Sequence, residues 1–193
     1  SRIFSTRVLK QEELLDKEMD YQQSVIEQFE KSIDKQRKQQ EELNKLNQLQ
    51  KQKEELNFQE QSDLKKFFEK QKEQEQLMQK FSKTLKERLK DKEDKNNQLL
   101  KERLERQELE AKKNERLLEE LNKIADKIDK EELKKKLDEL SKKQSSNQRN
   151  LEQLLELTKR YYVTEKAAQL ADKLEKLGDE QEELSKKKSN KEL

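Results

Sequence analysis

Pairs of carboxylates are the residues of this chain whose type and spacing come nearest to catalytic chemistry. Adjacent acids recur along it, as in Glu12–Glu13, Glu41–Glu42 and Glu131–Glu132. General acid–base catalysis needs carboxylates whose pKa values are shifted inside a dry cleft. These acids instead lie among lysines, on faces that the apolar residues leave to water, and this pattern is typical of solvated helix faces. We therefore expect no acid–base site.

The residue types that most other catalytic and ligand-binding sites require are missing. The chain has no His and no Cys, which excludes Ser–His and Cys–His nucleophilic catalysis and removes the usual transition-metal ligands. Its single glycine, Gly178, excludes a glycine-rich phosphate loop. The sequence therefore predicts no enzymatic activity, no cofactor and no metal site.

The distribution of basic and apolar residues bears on which partners the chain could have. Its 46 basic residues nearly balance 44 acidic ones, and the longest basic runs, 134–136 and 186–188, lie close to acids. Nucleic-acid binding needs a one-sided basic stripe. Membrane insertion by a helix needs about 20 consecutive apolar residues. The sequence has neither a one-sided basic stripe nor such an apolar run, so we expect no nucleic-acid partner and no direct membrane insertion by this segment. We expect a protein partner or self-association instead.

The composition predicts long helices rather than a globular domain. Apolar residues make up 28% of the 193 residues and charged residues 47%, against roughly 45–50% and 25% in a typical soluble domain. So thin an apolar content cannot fill a compact interior, while the balanced charge and the helical spacing of the apolar residues oppose disorder. There is no Pro, so the backbone has few places to break a helix. The predicted fold class is all-α, an elongated antiparallel coiled-coil hairpin or a small helical bundle of long charged helices.

The chain divides into three predicted regions. Residues 1–10 are rich in β-branched and aromatic types and contain no acid, which predicts an extended tail or the end of a preceding β-domain. Residues 11–128 show apolar residues at heptad spacing, typical of long coiled-coil helices with possible breaks near 57–62 and 91–98. Residues 129–193 predict a short helix, a polar loop at 141–149 and a C-terminal helix. As one helix the chain would reach about 290 Å, so we expect these breaks to fold it back on itself.

Two positions carry the spacing of helix caps. Asp129 with Glu132, and Asn150 with Gln153, have the spacing of a capping box. We therefore predict helix N-caps at Asp129 and Asn150. Gly178 either ends the last helix or lies inside it, at a cost of about 1 kcal/mol.

A few aromatic and methionine side chains are the candidates for a partner contact. Aromatic residues are enriched both in cores and at the centres of interfaces, so an internal core and a docked partner helix are the two alternatives for them. Two adjacent tyrosines cannot both face one narrow apolar stripe, so we expect one of the pair to lie at its flank. The candidates are Phe67, Phe68, Met78, Phe81, Tyr161 and Tyr162.

The C-terminal third of the chain carries a resemblance. The sequence DKEELKKKLDEL at 129–140 is followed by NLEQLLELTKRYYV from Asn150 and by AAQLADKLEKLGDEQEEL at 167–184. This series resembles an uncharacterised family of large membrane-anchored proteins of Bacteroidota and related bacteria, in which a motif similar to NLEQLLEL leads into one similar to KLEKLGDEQEEL. Gly178 departs from that pattern, where a helix former is expected.

The resemblance implies membrane helices and β-rich extracytoplasmic domains upstream of this helical region, and it implies no activity. The predicted function is a structural scaffold or spacer region of a larger envelope protein with a membrane-anchored parent. One alternative is a protein-binding module that docks one partner through an aromatic patch. Another is a cytoplasmic cytoskeletal or motor-like rod. The expected location is the extracytoplasmic (periplasmic) side of the envelope if the resemblance holds, and the cytoplasm otherwise.

Overall fold

Four helices make up almost the whole of the structure. The computed structural model describes residues 2–53, 56–89, 95–125 and 130–189, and these residues contain no strand. The helices are α1 (Arg2–Gln52), α2 (Phe58–Arg88), α3 (Lys95–Ile124) and α4 (Lys130–Ser189). At 1.5 Å per residue, α4 is about 90 Å long and α1 about 75 Å, whereas α2 and α3 are each about 45 Å. The all-α prediction is confirmed.

The helices pack as an antiparallel bundle. α2 packs along α3, α3 along α4, and α4 along α1. The short connections between consecutive helices place neighbours antiparallel, so the chain runs up, down, up and down. α1 and α2 meet mainly through side chains, as where the rings of Phe29 and Phe81 lie edge to face with centroids 4.9 Å apart. A groove therefore separates their backbones.

Two apolar clusters fill the interior, and all four helices contribute to both. We name them after a central residue of each. The Phe29 cluster contains Val25, Phe29, Ile33, Met78, Leu85, Leu89, Leu100, Leu104, Leu151, Leu154, Leu155, Tyr161 and Tyr162. The Phe67 cluster contains Leu43, Leu64, Phe67, Phe68, Leu117, Leu118, Leu121, Ala125, Leu133, Leu137 and Leu140. Their spacing of three and four residues along each helix keeps them on one face.

The helix boundaries near the two predicted breaks are set locally. α1 ends at Gln52 and α2 begins at Phe58, with Asn57 as its N-cap. The Asn57 side chain accepts a hydrogen bond from the Glu60 backbone N–H, and the Asn57 backbone N–H donates to the Glu60 carboxylate, both at 2.9 Å. Ser62 and Asp63 are also residue types that cap helices, but both lie inside α2. At the second position, α2 ends at Arg88 and α3 begins at Lys95.

The loop predicted at 141–149 is wrong, because α4 is continuous from Lys130 to Ser189. The polar residues that suggested a loop are packing residues. Gln144 and Asn147 are buried. Gln144 donates a hydrogen bond to a side chain of α2, and Asn147 accepts one from a side chain of α3. For the same reason Asn150 is not an N-cap, since it lies inside α4. The other predicted cap, Asp129, lies outside the described residues.

Two further sequence predictions concern the ends of the long helices. The extended tail predicted at 1–10 is wrong, since α1 begins at Arg2. The β-branched and aromatic residues near the start of the chain have a weak helix propensity, but this costs less than about 1 kcal/mol per residue. The helix can include them because extending an existing helix needs no new nucleus. Gly178 lies inside α4 without a positive φ, and a Cβ there would meet no atom within 4 Å.

Candidate functional site

A layer of amide and carboxylate side chains separates the two apolar clusters. On every helix, buried polar residues lie between those that join the Phe29 cluster and those that join the Phe67 cluster. We call this set the polar layer. It consists of Gln36 on α1, Gln71 and Glu75 on α2, Gln107 and Asn114 on α3, and Gln144 and Asn147 on α4.

Hydrogen bonds within the polar layer join the helices in pairs. A buried polar group left without a partner costs about 1–3 kcal/mol, so sliding one helix by a turn would be penalised at several positions at once. Buried amides set register in coiled coils in the same way. The bonds are Gln144 Nε2 to Gln71 Oε1 at 2.8 Å, Gln107 Nε2 to Asn147 Oδ1 at 2.7 Å, and Asn114 Nδ2 to Glu75 Oε1 at 3.1 Å.

Glu75 is the one acid of the polar layer. Burial raises the pKa of its carboxyl to about 7; the Asn114 hydrogen bond opposes that shift, and the charges of Glu115 and Glu110 add to it. Asn114 Oδ1 has no partner among the described residues. A protonated Glu75 would add a donor beside this unpaired acceptor. The arrangement therefore favours a neutral Glu75, which suits an interior better than a carboxylate does.

The aromatic candidates on α2 lie in the interior. Phe67 and Phe68 are each 1% exposed and sit in the Phe67 cluster, with ring centroids 6.0 Å apart. Met78 is buried in the Phe29 cluster, and Phe81 is half-buried against it. The two groups thus belong to different cores on either side of the polar layer, and they form no common exposed patch.

Tyr161 and Tyr162 are both buried, so the expectation that one lies at the flank of the stripe is wrong. α4 has helices on two sides, and its buried face is therefore wider than the single stripe of a two-helix coil. Burial raises the pKa of Tyr162, with Tyr21 contributing, and burial also raises the pKa of Tyr21. The Arg88 guanidinium lies 4.0 Å from the centre of the Tyr21 ring, a cation–π contact that joins the end of α2 to α1.

The end of α4 carries an exposed apolar stripe. Arg88, the last residue of α2, contacts Tyr21 of α1, and Tyr162 of α4 lies near both. These contacts show the level at which α2 ends, and beyond it α1 and α4 continue. We call residues 167–184 the α4 arm. Where α1 passes it, a groove of about 390 Å³ runs past Leu15, Met19 and Leu170. The arm's leucines are 52–69% exposed; they are Leu170, Leu174, Leu177 and Leu184.

A second apolar surface lies between α1 and α2. This α1–α2 groove has a volume of about 770 Å³. Its apolar lining includes the buried side chains of Val25, Met78 and Leu85, the half-buried Phe81, and Leu77, which is 61% exposed. Its charged lining residues are Lys31, Asp34, Lys35, Lys38 and Lys80. The groove is therefore apolar inside and basic at its rim.

The described residues were searched for a metal site and a membrane-spanning helix, and the chain was compared with known proteins. No cluster of acids in the described ranges could hold a metal ion, and none of the helices described is apolar over a bilayer-spanning length. The fold and its interior define an elongated four-helix bundle with a polar central layer. The chain matches no protein-family model, no curated protein and no solved structure.

Of the residues that matter here, sequence patterns pointed to some and missed others. Glutamines within the apolar stripes, such as Gln36 and Gln71, are visible from heptad spacing alone. Glu75, Gln107 and Asn114 escape notice because a charged or amide residue does not by its type indicate that it faces inward. The signal that could find them is continuation of the three-and-four spacing through polar positions.

Proposed function

We propose that this chain is a structural scaffold or spacer, forming the helical region of a larger envelope protein. The observation that carries the proposal is the continuous α4 helix, about 90 Å long, supported along most of its length by α1 and α3. A helix braced in this way holds whatever lies at its two ends at a fixed separation. The side chains best suited to a partner-docking patch are used for internal packing instead.

Ion pairs between helices support the rod but do not supply its stability. Lys72 of α2 reaches Glu119 of α3 at 2.6 Å, and Lys136 of α4 reaches Glu120 of α3 at 2.7 Å. Exposed pairs of this kind contribute about 0.2–1 kcal/mol each. They favour the observed register, while burial of the two apolar clusters supplies most of the favourable energy.

The envelope location and the membrane-anchored parent are supported by the resemblance of residues 129–184. The rod itself would serve equally well as a spacer in another compartment. The absence of His, Cys and a glycine-rich loop from the sequence supports a structural rather than an enzymatic role.

A replacement experiment tests the spacer function. In the gene of the parent protein, this segment would be exchanged for an unrelated four-helix bundle of equal length, and in parallel for a flexible Gly/Ser linker with the same number of residues. A spacer needs only length and stiffness, so we expect the bundle to restore the phenotype of a deletion strain and the linker to fail. Failure of both replacements, with both proteins present at normal levels, would contradict the proposal and favour a binding module.

A further inference from the structure

We propose that the C-terminal part of α4 is a self-association surface, on which the same surface of a second copy of this chain packs as an antiparallel coiled coil. The surface is a line of residues that follow one another at alternating intervals of four and three, and we call it the outer seam. Its members are Val163, Ala167, Leu170, Leu174, Leu177, Gln181 and Leu184. Such a pairing would join two rods end to end, which goes beyond the spacer function proposed for one copy.

The outer seam lies on the opposite side of α4 from the bundle interior. The line of residues that α4 buries has the same alternating spacing and ends with Tyr161 and Glu165. Val163 is two positions from each of them, and two residues correspond to about 200° around a helix. Val163 and the four leucines of the outer seam are accordingly 52–69% exposed. The described helices of one copy therefore leave this seam open.

The length and spacing of the outer seam suit pairing with another helix. Apolar residues at heptad spacing over at least three heptads are the pattern of a coiled coil, and the seam covers about three heptads with Gln181 as its one polar member. An antiparallel pair can be centred between Leu174 and Leu177, so that Leu174 of one copy packs against Leu177 of the other. In the next layers Leu170 faces Gln181, and Ala167 faces Leu184.

Charge along one edge of the seam favours this antiparallel pairing of two copies. The residues at this edge are Lys166, Lys173, Glu180 and Lys187. In the centred pair the edge faces itself, and Glu180 of each copy lies between the levels of Lys166 and Lys173 of the other. Lys187 then lies near Lys166 at the outer ends, and it has an ion pair with Glu183 of its own helix at 3.8 Å. A shift by one heptad would bring Glu180 against Glu180 or Lys173 against Lys173, which opposes those registers.

The other edge of the seam carries small residues. They are Thr164, Ala171, Gly178 and Ser185. In an antiparallel pair this edge also faces itself, and small side chains let two helices approach closely. Gly178 is a poor helix former, and a Cβ there would meet no atom of its own chain within 4 Å, so close packing of a second helix gives it a role. From residue 167 to Ser189 there are six acidic and five basic residues, a net charge of −1, so two such segments do not repel strongly.

Substitution on the outer seam tests the association, with mass measured by light scattering after size-exclusion chromatography. The unmodified chain should be a dimer. Leu174→Ser/Leu177→Ser should weaken dimerisation by at least about a hundredfold, because the central leucines of both copies lose their apolar contacts. Both side chains are exposed in one copy, so circular dichroism should still show an intact helical bundle. The matched control, Leu77→Ser/Leu109→Ser, changes leucines of similar exposure on α2 and α3 and should remain dimeric.

A distance between the two copies tests their orientation. The chain has no Cys, so one spin label can be attached to each copy at Ser185→Cys, an exposed position. The centred antiparallel pair places the two labels about 30 Å apart. A parallel pair would bring them within about 15 Å, little more than the spacing of two packed helices.

The outcomes separate this inference from the proposed function. A monomeric unmodified chain would overturn the inference and leave the outer seam to another protein. A dimer that survives Leu174→Ser/Leu177→Ser, or a distance within about 15 Å, would overturn it as well. Each of these results leaves the spacer proposal standing, because that proposal is decided by the replacement experiment and not by oligomeric state.

Discussion

The contribution of Glu75 to the free energy of unfolding is expected to fall by about 3 kcal/mol as the pH rises from 4.5 to above 7, because the folded chain holds a proton on Glu75 that the unfolded chain releases. The folded-state pKa is about 7 against 4.5 for a free carboxyl. Within that window Glu75 binds more protons in the native state than in the unfolded state, so its contribution to stability decreases with pH and becomes constant above the window. Ion-paired carboxyls with a lowered pKa, such as those of Glu120 and Asp138, act in the opposite direction only near the lower end of the window. The chain has no His, and no other type of side chain ordinarily changes its charge between pH 5 and 8.

Urea denaturation followed by circular dichroism at pH 5, 6, 7 and 8 measures the effect. The variant Glu75→Gln should match the unmodified chain at pH 5 and exceed its stability at pH 8 by about 3 kcal/mol, because a buried amide is uncharged at both pH values and can still accept a hydrogen bond from Asn114 Nδ2. The control Glu73→Gln changes an exposed acid on the same helix and should leave the pH dependence in place. A flat profile for the unmodified chain would show that Glu75 is not held in a dry interior.

Replacing Phe67 by Ala is expected to cost about 3–5 kcal/mol, the usual range when a fully buried aromatic is truncated to a methyl group. Phe67 is 1% exposed and contacts Phe68 within the Phe67 cluster. The loss combines the apolar area returned to water with the cavity that the neighbouring leucines cannot fill. Thermal denaturation should show a drop in Tm on the order of 10 °C.

Phe58 supplies the matched control for that experiment. It lies on the same helix but is 87% exposed, so Phe58→Ala should change the free energy of unfolding by less than about 0.5 kcal/mol. Equal effects from the two substitutions would contradict the described core. If Phe67→Ala left the free energy of unfolding unchanged but abolished binding of a partner protein, the result would favour the aromatic-patch alternative.

Sequence patterns predict the fold class well because the fold is built from one kind of local structure. Heptad spacing and the absence of Pro predict long helices, and the polar stretches near 57 and 91 lie close to where α1 and α2 end. The pattern fails at 141–149, where a polar run predicts a loop. Local chemistry there favours a turn, but the buried bonds of Gln144 and Asn147 to two other helices make the same residues part of a continuous helix.

The interior polar layer is harder to predict for a related reason. In a chain with 47% charged residues, an inward-facing Glu75 looks the same as its exposed neighbours Glu73 and Glu69. Only the three-dimensional arrangement places it beside Asn114 and away from lysines. The expectation that one of the adjacent tyrosines lies at the flank of the apolar stripe fails for a similar reason. The width of the buried face of α4 depends on how many helices surround it, and the sequence of α4 does not contain that number.

In the proposed spacer, α4 is a single stiff helix that fixes the length of the rod. The chain has no Cys, so spin labels can be attached at Lys135→Cys and Arg160→Cys, both exposed positions on α4. Their separation of 25 residues corresponds to about 37 Å in an unbroken helix and returns to nearly the same face. Pulsed dipolar spectroscopy should give one narrow distance distribution near that value. A broad distribution, or a markedly shorter distance, would place a break between the labels and contradict the rigid spacer.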